Sequence, residues 1–212
     1  MSFIDKTNIV IKKNNNDLYY FDIDKDIVLT KINNKNDILL PKILFTGDYS
    51  FVDIWLDTNE KDNIYGIIND KKGKILNLNI EEDNIDKHTM IKYDYKNFIV
   101  KFPYTKHIYN IKHTIYYSIN KSIPLLANLI HIYEDDNIYV KNTIDFIDYN
   151  ILSNFVVAYS NNRPIIFYFK LVDKFEELFV STFDLNSRSW SKPIQITKSN
   201  KNKIYLSVLQ DE

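Results

Sequence analysis

The run Phe155-Val156-Val157-Ala158-Tyr159 carries the main evidence for the fold, because apolar runs of this kind recur along the chain about every fifty residues. Related runs begin near Phe51, Phe98 and Ile204. Short runs rich in β-branched and aromatic side chains are typical of strands that pack on a pleated, buried surface. The recurrence therefore predicts one such strand in every structural unit.

Three further series of apolar runs interleave with the first at nearly the same period. Their starting residues are Leu18, Ile64, Ile115 and Ile165 in one series, Ile27, Ile75, Leu129 and Leu178 in the next, and Leu39, Met90, Ile138 and Ile194 in the last. Four short strands in each repeat of about 40–50 residues are typical of a β-propeller blade. A β-sandwich has no reason to keep a fixed period. We therefore predict an all-β fold, a β-propeller of four-stranded blades.

The repeat divides the chain into four units of about fifty residues and one trailing strand. The units are expected at 8–45, 49–94, 97–147 and 151–197. All of them belong to one propeller-like domain over 1–212, in which 203–212 begins a further blade or closes the ring. An incomplete ring leaves open blade edges, which tend to pair with another chain. A truncated or self-associating propeller, with a homo-oligomer formed through open blade edges, is favoured over closure with four blades.

The composition excludes several classes of partner and site. The 27 Lys and Arg residues nearly balance the 28 Asp and Glu residues, which argues against a nucleic-acid-binding protein. The absence of cysteine excludes disulfides and thiolate metal sites. The chain starts without an apolar signal segment, and its longest mainly apolar run, Ile123–Ile132, is too short to span a bilayer. The expectation is a cytoplasmic protein with no membrane partner.

Two groups of residues carry a resemblance to a known kind of repeat. One is Phe102-Pro103-Tyr104 together with the strand that ends in Thr114-Ile115-Tyr116-Tyr117-Ser118, and the other is Leu152–Val157 leading into Ser181–Pro193. This sequence resembles blades of large, AT-rich, uncharacterised clostridial β-propeller proteins, from about residue 50 onward. The resemblance implies a propeller blade and brings no established activity.

The hairpin that ends at Trp190 is similar to the sialidase Asp-box, whose pattern is Ser-x-Asp-x-Gly-x-x-Trp. Ser181 and Asp184 are three residues apart instead of two, and the glycine is missing. The hairpin thus keeps only an acidic turn followed by a tryptophan. Sialidase activity would require three arginines around a substrate carboxylate, and this chain has only Arg163 and Arg188. Sialidase activity is therefore not expected.

Five residues are predicted to contribute to a binding surface. They are Asp53, Trp55, Tyr104, Tyr159 and Trp190. Asp53 and Trp55 fall on a predicted innermost strand, where side chains reach the central channel of a propeller. Some tyrosine hydroxyls on the aromatic strands should likewise reach the rim or channel. Most of these aromatic side chains are nevertheless expected to pack between blades.

No catalytic residue, metal site or cofactor is predicted. A glycosidase needs two suitably spaced carboxylates, and acidic residues occur along the whole chain without marking such a pair. The four histidines have neither H-x-x-x-H nor HExxH spacing, which argues against zinc.

The function predicted from sequence is a non-enzymatic binding or scaffold module whose ligand is a protein or a carbohydrate. A carbohydrate-active enzyme that uses channel carboxylates is the first alternative. A self-assembling structural protein is the second.

Overall fold

The computed structural model describes residues 7–81, 84–135, 138–199 and 201–208. Contacts between Cα atoms divide the chain into two compact units. Unit one comprises Met1–Asp70 and Lys74–Lys92, and unit two comprises Lys71–Gly73 and Tyr93–Glu212. The expectation that the chain is one domain stays a prediction.

Unit one contains two four-stranded antiparallel sheets. Sheet A has the order β1 (Thr7–Lys12), β2 (Leu18–Ile23), β3 (Asp26–Ile32) and β4 (Lys42–Thr46). Sheet B has the order β5 (Ile54–Thr58), β6 (Ile64–Asn69), β7 (Lys74–Glu81) and β8 (Asn84–Lys92). Every strand pairs with its successor in the chain, so each sheet is a simple meander.

Unit two repeats this arrangement. Sheet C has the order β9 (Phe98–Ile108), β10 (Ile111–Asn120), β11 (Leu126–Asp135) and β12 (Ile138–Asp148). Sheet D contains β13 (Val156–Ser160), β14 (Arg163–Val172) and β15 (Phe175–Asp184), and two short strands, β16 (Ser189–Trp190) and β17 (Ile194–Gln195), both pair with β15. The described residues thus form one sheet in each predicted repeat, which confirms the predicted all-β fold of four-stranded units.

Alternating side chains explain why these runs form strands. In β2, Tyr19, Phe21 and Ile23 are buried while the residues between them are half-buried, as expected for a period of two. Turns between strands contain asparagines at positive φ, among them Asn16 at 67° and Asn36 at 66°. Asparagine tolerates this conformation better than most residues, so it serves where glycine is scarce.

The first strand of sheet B starts later than the sequence predicts. The run from Phe51 was expected to be a strand, but Phe51–Asp53 form a 3-10 turn and β5 begins at Ile54. The backbone N–H of Asp53 donates to the carbonyl of Ser50 at 2.9 Å, and the backbone N–H of Ser50 donates to Oδ2 of Asp53 at 3.1 Å. This local pairing between side chain and backbone competes successfully with strand formation.

A partly buried polar network joins sheets C and D. Oδ2 of Asp145, on β12, accepts a hydrogen bond from the hydroxyl of Tyr168 at 2.9 Å. Nζ of Lys170 donates to both oxygens of Asp145, at 3.0 and 3.1 Å. Tyr168 is fully buried, whereas the side chains of Lys170 and Asp145 are 26% and 13% exposed, so the charges pair in a partly buried contact between the two sheets.

A trailing segment, residues 201–208, follows sheet D. The structure assigns no strand to it, and Leu209–Glu212 lie outside the described residues. The hydroxyl of Ser153 donates to the carbonyl of Ile204 at 2.7 Å, and Nδ2 of Asn154 donates to the carbonyl of Leu206 at 2.8 Å. Side-chain hydrogen bonds, rather than a backbone ladder, hold the trailing segment beside the residues that lead into β13.

Candidate functional site

Asp53 is a structural residue in the arrangement that the structure shows. It is fully buried, and its Oδ2 accepts hydrogen bonds from the backbone and hydroxyl of Ser50, both at 3.1 Å. Its Oδ1 accepts a bond from Nδ2 of Asn69 at 3.3 Å. Asp53 therefore lies in the turn before β5 and not on the strand itself, and its contribution to a binding surface stays a prediction.

Trp55 lies half-buried on β5, which pairs with β6 in sheet B. A Cβ atom added to Gly66 would lie 2.0 Å from the carbonyl oxygen of Trp55. Only glycine therefore fits opposite this stretch of β5, because any side chain would collide with backbone. Close packing at Gly66 fixes the position of the strand that carries Trp55.

Tyr104 and Tyr159 come together as a hydrogen-bonded pair. Their hydroxyl oxygens lie 2.8 Å apart, between the first strands of sheets C and D. Tyr104 is buried, whereas Tyr159 is half-buried and is the last residue but one of β13. The predicted tyrosines thus meet, and each hydroxyl supplies the polar partner that a buried phenol requires.

A backbone irregularity sets the direction of Tyr104. Phe102, two residues earlier in β9, has a φ of 51°, which is unusual for a bulky residue inside a strand. The register between β9 and β10 shifts between Ile115 and Tyr117, which marks a β-bulge at this point. A β-bulge changes the direction in which the following side chains point. The side chain of Tyr104 therefore does not follow the alternation of the residues before the bulge.

Trp190 belongs to an aromatic cluster that contains two buried histidines. Its ring centroid lies 5.2 Å from that of His131 and 5.3 Å from that of Phe183. Nδ1 of His113 lies 3.0 Å from Nε2 of His131, and both histidines are fully buried. Among the residues that the structure describes, Nε1 of Trp190, Nε2 of His113 and Nδ1 of His131 are buried without a hydrogen-bond partner.

The histidine pair is neutral at ordinary pH. Burial, reinforced by His107, lowers the pKa of His113 to about 4. Burial and the neighbouring His113 lower the pKa of His131 well below its usual value. One ring must donate and the other accept, so the two tautomers are coupled. This pair packs the cluster under Trp190 and is too deeply buried to touch a ligand.

An open pocket of about 550 Å³ lies at the end of sheet D that carries the β13–β14 turn and the hairpin after β15. We call it the turn pocket. Its lining residues are Ser160, Asn161, Arg163, Ile165, Thr182, Phe183, Asp184, Ser187, Ser189, Trp190 and Ser191. The volume falls within the range of sites for small ligands, about 300–1,000 Å³. Among the predicted site residues, the turn pocket contains Trp190, and Tyr159 directly precedes its residue Ser160.

The charges in the turn pocket offset each other. Asp184 accepts hydrogen bonds at Oδ1 from the backbone N–H of Ser187 at 2.7 Å and from its hydroxyl at 3.0 Å. Together with the neighbouring Arg163, these bonds lower the pKa of Asp184. The carboxylate is therefore ionised, and Arg163 supplies an opposite charge in the same pocket.

Five of the residues that line the turn pocket carry a hydroxyl group. The hydroxyl oxygens of Ser187 and Ser189 lie 2.8 Å apart, and Oγ of Ser191 accepts a hydrogen bond from the backbone of Thr182 at 3.1 Å. A hydroxyl can both donate and accept, so this lining suits a ligand whose own groups do both.

Carboxylates are scarce on the first strands of the four sheets. Over the described ranges of β1, β5, β9 and β13, Asp57 is the single acidic residue. Its Oδ2 accepts a hydrogen bond from the hydroxyl of Tyr65 at 3.2 Å. A pair of first-strand carboxylates, as a channel-centred glycosidase would require, is not present among these strand residues.

The sequence did not predict that Arg163, Asp184 and the histidine pair lie in the same region as Trp190. From the sequence, Arg163 is considered only as one of the two arginines of the chain. In the β10–β11 register His113 faces Tyr133 and Ile115 faces His131, so the two histidines are diagonal neighbours. Predicting the strand register of the hairpin over 111–135 would have placed these two histidines side by side. The spacing of histidines along the sequence does not show this. No group of three or more metal-ligating side chains occurs within the described part of the chain.

Comparison with solved structures shows a β-propeller fold. A bifunctional protein of glycoside hydrolase family 43 from Bacteroides eggerthii aligns with 96% of this chain at a TM-score of 0.52 and 9% identity. An α-L-arabinofuranosidase from Podospora anserina, in complex with cellotriose, aligns with 88% at 0.50 and 12%. A family 43 protein of a Bacteroides ovatus xyloglucan locus aligns with 97% at 0.50 and 9%. The family 43 structures are five-bladed β-propellers.

These similarities establish the fold and leave the family open. The chain spans 27% of the first of these structures, 67% of the second and 46% of the third. The sequence matches no protein-family model and no curated protein sequence. The resemblance to clostridial propeller repeats and the similarity to the Asp-box therefore stay predictions. No helix among the described residues is both long and apolar enough to cross a membrane.

Proposed function

We propose that this protein is a non-enzymatic binding module that holds a neutral carbohydrate in the turn pocket. The observation that carries the proposal is the lining itself, which combines Trp190 with hydroxyls, an amide and one offset pair of charges. The indole offers an amphipathic surface to the apolar face of a sugar ring. The hydroxyls and Asn161 can exchange hydrogen bonds with sugar hydroxyls in both directions.

The balance of charge supports a neutral ligand over an anion or cation. Arg163 and Asp184 both line the pocket, and each offsets the field of the other. A free phosphate or carboxylate would meet Asp184 as well as Arg163, which reduces its gain in binding energy. A hydroxyl-rich ligand meets no such opposition.

The chemistry of the pocket supports binding over hydrolysis. Glycoside hydrolysis needs two carboxyl groups, and in the usual mechanism the acid catalyst has a raised pKa. The turn pocket has one carboxylate, Asp184, and hydrogen bonds from Ser187 lower its pKa. A glycosidase is the second candidate function, favoured by the propeller fold that this chain has in common with family 43 glycoside hydrolases.

One pair of assays distinguishes these functions. The purified chain is applied to an array of neutral glycans that includes cello-, xylo- and arabino-oligosaccharides, and it is incubated separately with aryl glycosides of the same sugars. Retention of a glycan by the native chain and loss of retention in Arg163→Ala, without turnover of any aryl glycoside, support the proposal. Turnover by the native chain, or retention that Arg163→Ala leaves unchanged, contradicts it.

A further inference from the structure

We propose that Tyr109 is a further ligand-binding residue, which stacks on a second sugar ring where an oligosaccharide extends out of the turn pocket. This inference rests on the proposed binding of carbohydrate in that pocket. Tyr109 is the first of the two residues in the turn between β9 and β10. It is 81% exposed, so most of its ring is open to a ligand.

The backbone at Tyr109 has a conformation that does not favour tyrosine. Its φ is 52°, in the left-handed region, where asparagine and aspartate are tolerated better than bulky residues. The two-residue turn between β13 and β14 meets the same requirement with Asn161 and Asn162, whose φ values are 48° and 62°. An aromatic residue in the β9–β10 turn therefore costs stability, and strain of this kind is typical of residues at functional sites.

A hydrogen bond connects Tyr109 to one wall of the turn pocket. Nδ2 of Asn162 donates to the hydroxyl of Tyr109, which lies 3.3 Å away. Asn162 lies between Asn161 and Arg163 in the chain, and both of these neighbours line the pocket. Tyr109 is not itself a lining residue, so its ring lies outside the pocket and beside this wall. A ligand that fills the pocket and continues past the β13–β14 turn would meet the ring.

The chemistry of an exposed phenol suits a sugar. Its ring packs against the apolar face of a sugar ring, while its hydroxyl and the amide of Asn162 can exchange hydrogen bonds with sugar hydroxyls. Trp190 lines the pocket and Tyr109 lies outside it, so the two aromatic side chains serve different units of one ligand. The ligand class is therefore a neutral oligosaccharide of at least two units.

Isothermal titration with sugars of increasing length tests this subsite. The probes are the mono-, di- and tetrasaccharide of whichever cello-, xylo- or arabino-series the glycan array retains. The native chain is expected to bind the tetrasaccharide at least about tenfold more tightly than the monosaccharide. Tyr109→Asn is expected to lose most of this gain and to keep native binding of the monosaccharide, whereas Tyr109→Phe keeps the ring and the gain. Trp190→Ala is expected to weaken binding at every length.

The substitution Tyr109→Asn also separates binding from folding. Because asparagine suits a positive φ, this variant is expected to melt at or above the melting temperature of the native chain. Tyr95→Asn is the matched control, since Tyr95 is 47% exposed and precedes the opposite end of β9. The control is expected to bind every sugar with native affinity.

The outcomes distinguish failure of this subsite from failure of the proposed function. Affinity that does not rise with length, or a gain that Tyr109→Asn keeps, overturns the subsite alone if Trp190→Ala still weakens binding. A lower melting temperature for Tyr109→Asn, or an equal loss of binding in Tyr95→Asn, also overturns it, because the ring would then have a structural role. A native chain that binds no sugar of any length overturns the proposed function and the subsite together.

Discussion

Nδ1 of His113 lies 3.0 Å from Nε2 of His131, in a stacked pair of fully buried rings beneath Trp190. Burial lowers the pKa of His113 to about 4 and that of His131 well below 6.5. The folded protein therefore binds no proton at this pair near pH 5, whereas the unfolded chain does. The stability of the packing between sheets C and D therefore depends on pH.

Lowering the pH from 7.5 to 5 is expected to reduce the free energy of unfolding by about 2–4 kcal/mol in total. Stability is full above the unfolded pKa near 6.5 and falls as protons bind to the unfolded histidines. His107, whose pKa is also lowered by burial, contributes in the same direction. Urea denaturation at several pH values measures the slope of the free energy of unfolding against pH.

Variants identify the histidines that cause this slope. The double variant His113→Gln/His131→Gln is expected to flatten the dependence between pH 7.5 and 5, whatever its absolute stability. His88, whose side chain is 61% exposed, provides the control, because His88→Gln should keep the native slope. Equal slopes for the native chain and the double variant would show that the buried pair is not responsible.

The hydrogen bond between the hydroxyls of Tyr104 and Tyr159 is expected to stabilise unit two. A double-mutant cycle with Tyr104→Phe and Tyr159→Phe should give a coupling energy of about 0.5–1.5 kcal/mol. Each single change removes one hydroxyl and leaves the other without this partner at 2.8 Å. Chemical denaturation of all four chains measures the coupling, and additive effects of the two changes would argue against the bond.

Loss of the Tyr168 hydroxyl is expected to weaken the interface between sheets C and D. Tyr168→Phe removes a hydrogen bond of 2.9 Å to the charged Asp145, at a cost of about 1.5–3 kcal/mol. Tyr139→Phe is the matched control, since Tyr139 is 60% exposed on β12. Thermal unfolding compares the two variants, and an equal effect would mean that the Asp145 network contributes little.

The contact between Glu177 and Lys203 is expected to contribute stability that depends on pH. Hydrogen bonds from Lys203, Thr197 and Ser199 lower the pKa of Glu177 to about 2. Because this pKa lies below the value in the unfolded chain, the stabilisation is present above about pH 4.5 and is lost as pH falls toward 2. Glu177→Gln should therefore lower the urea midpoint at pH 7, and the gap from the native chain should close in acid.

The matched control for Glu177→Gln is Glu60→Gln, which changes an exposed carboxylate in the turn between β5 and β6. Its urea midpoint should follow that of the native chain at every pH. A gap between Glu177→Gln and the native chain that stays constant from pH 7 to pH 3 would assign the loss to packing instead of ionisation.

The strand pattern is predictable from sequence because it depends on local chemistry. Apolar runs with turn residues between them place β2 at Leu18, β6 at Ile64 and β9 at Phe98, where the structure has them. The run at Phe51 misleads because Asp53 bonds to Ser50, and apolar pattern alone does not reveal this competition.

The candidate site is less predictable because its residues meet through sheet register and turn geometry. Trp190 and Tyr159 can each be selected from the sequence alone, because each is an aromatic residue. Arg163 and Asp184 enter the same pocket only because the β13–β14 turn and the hairpin after β15 lie at one end of sheet D. The positive φ of Phe102 likewise arises from the β-bulge in the folded strand, and no residue type in the local sequence predicts it.

Isothermal titration of a neutral oligosaccharide retained on the array into the native chain is the most direct test of carbohydrate binding in the turn pocket. Trp190→Ala and Arg163→Ala each change the pocket, and the exposed Arg163 can be changed without disturbing the cluster around His131. Tyr139→Ala is the control, since this exposed aromatic residue lies outside the pocket lining. Carbohydrate binding in the turn pocket predicts a saturable isotherm that both pocket variants weaken at least about tenfold and the control leaves unchanged. Native affinity in both pocket variants, or equal loss in Tyr139→Ala, would contradict it.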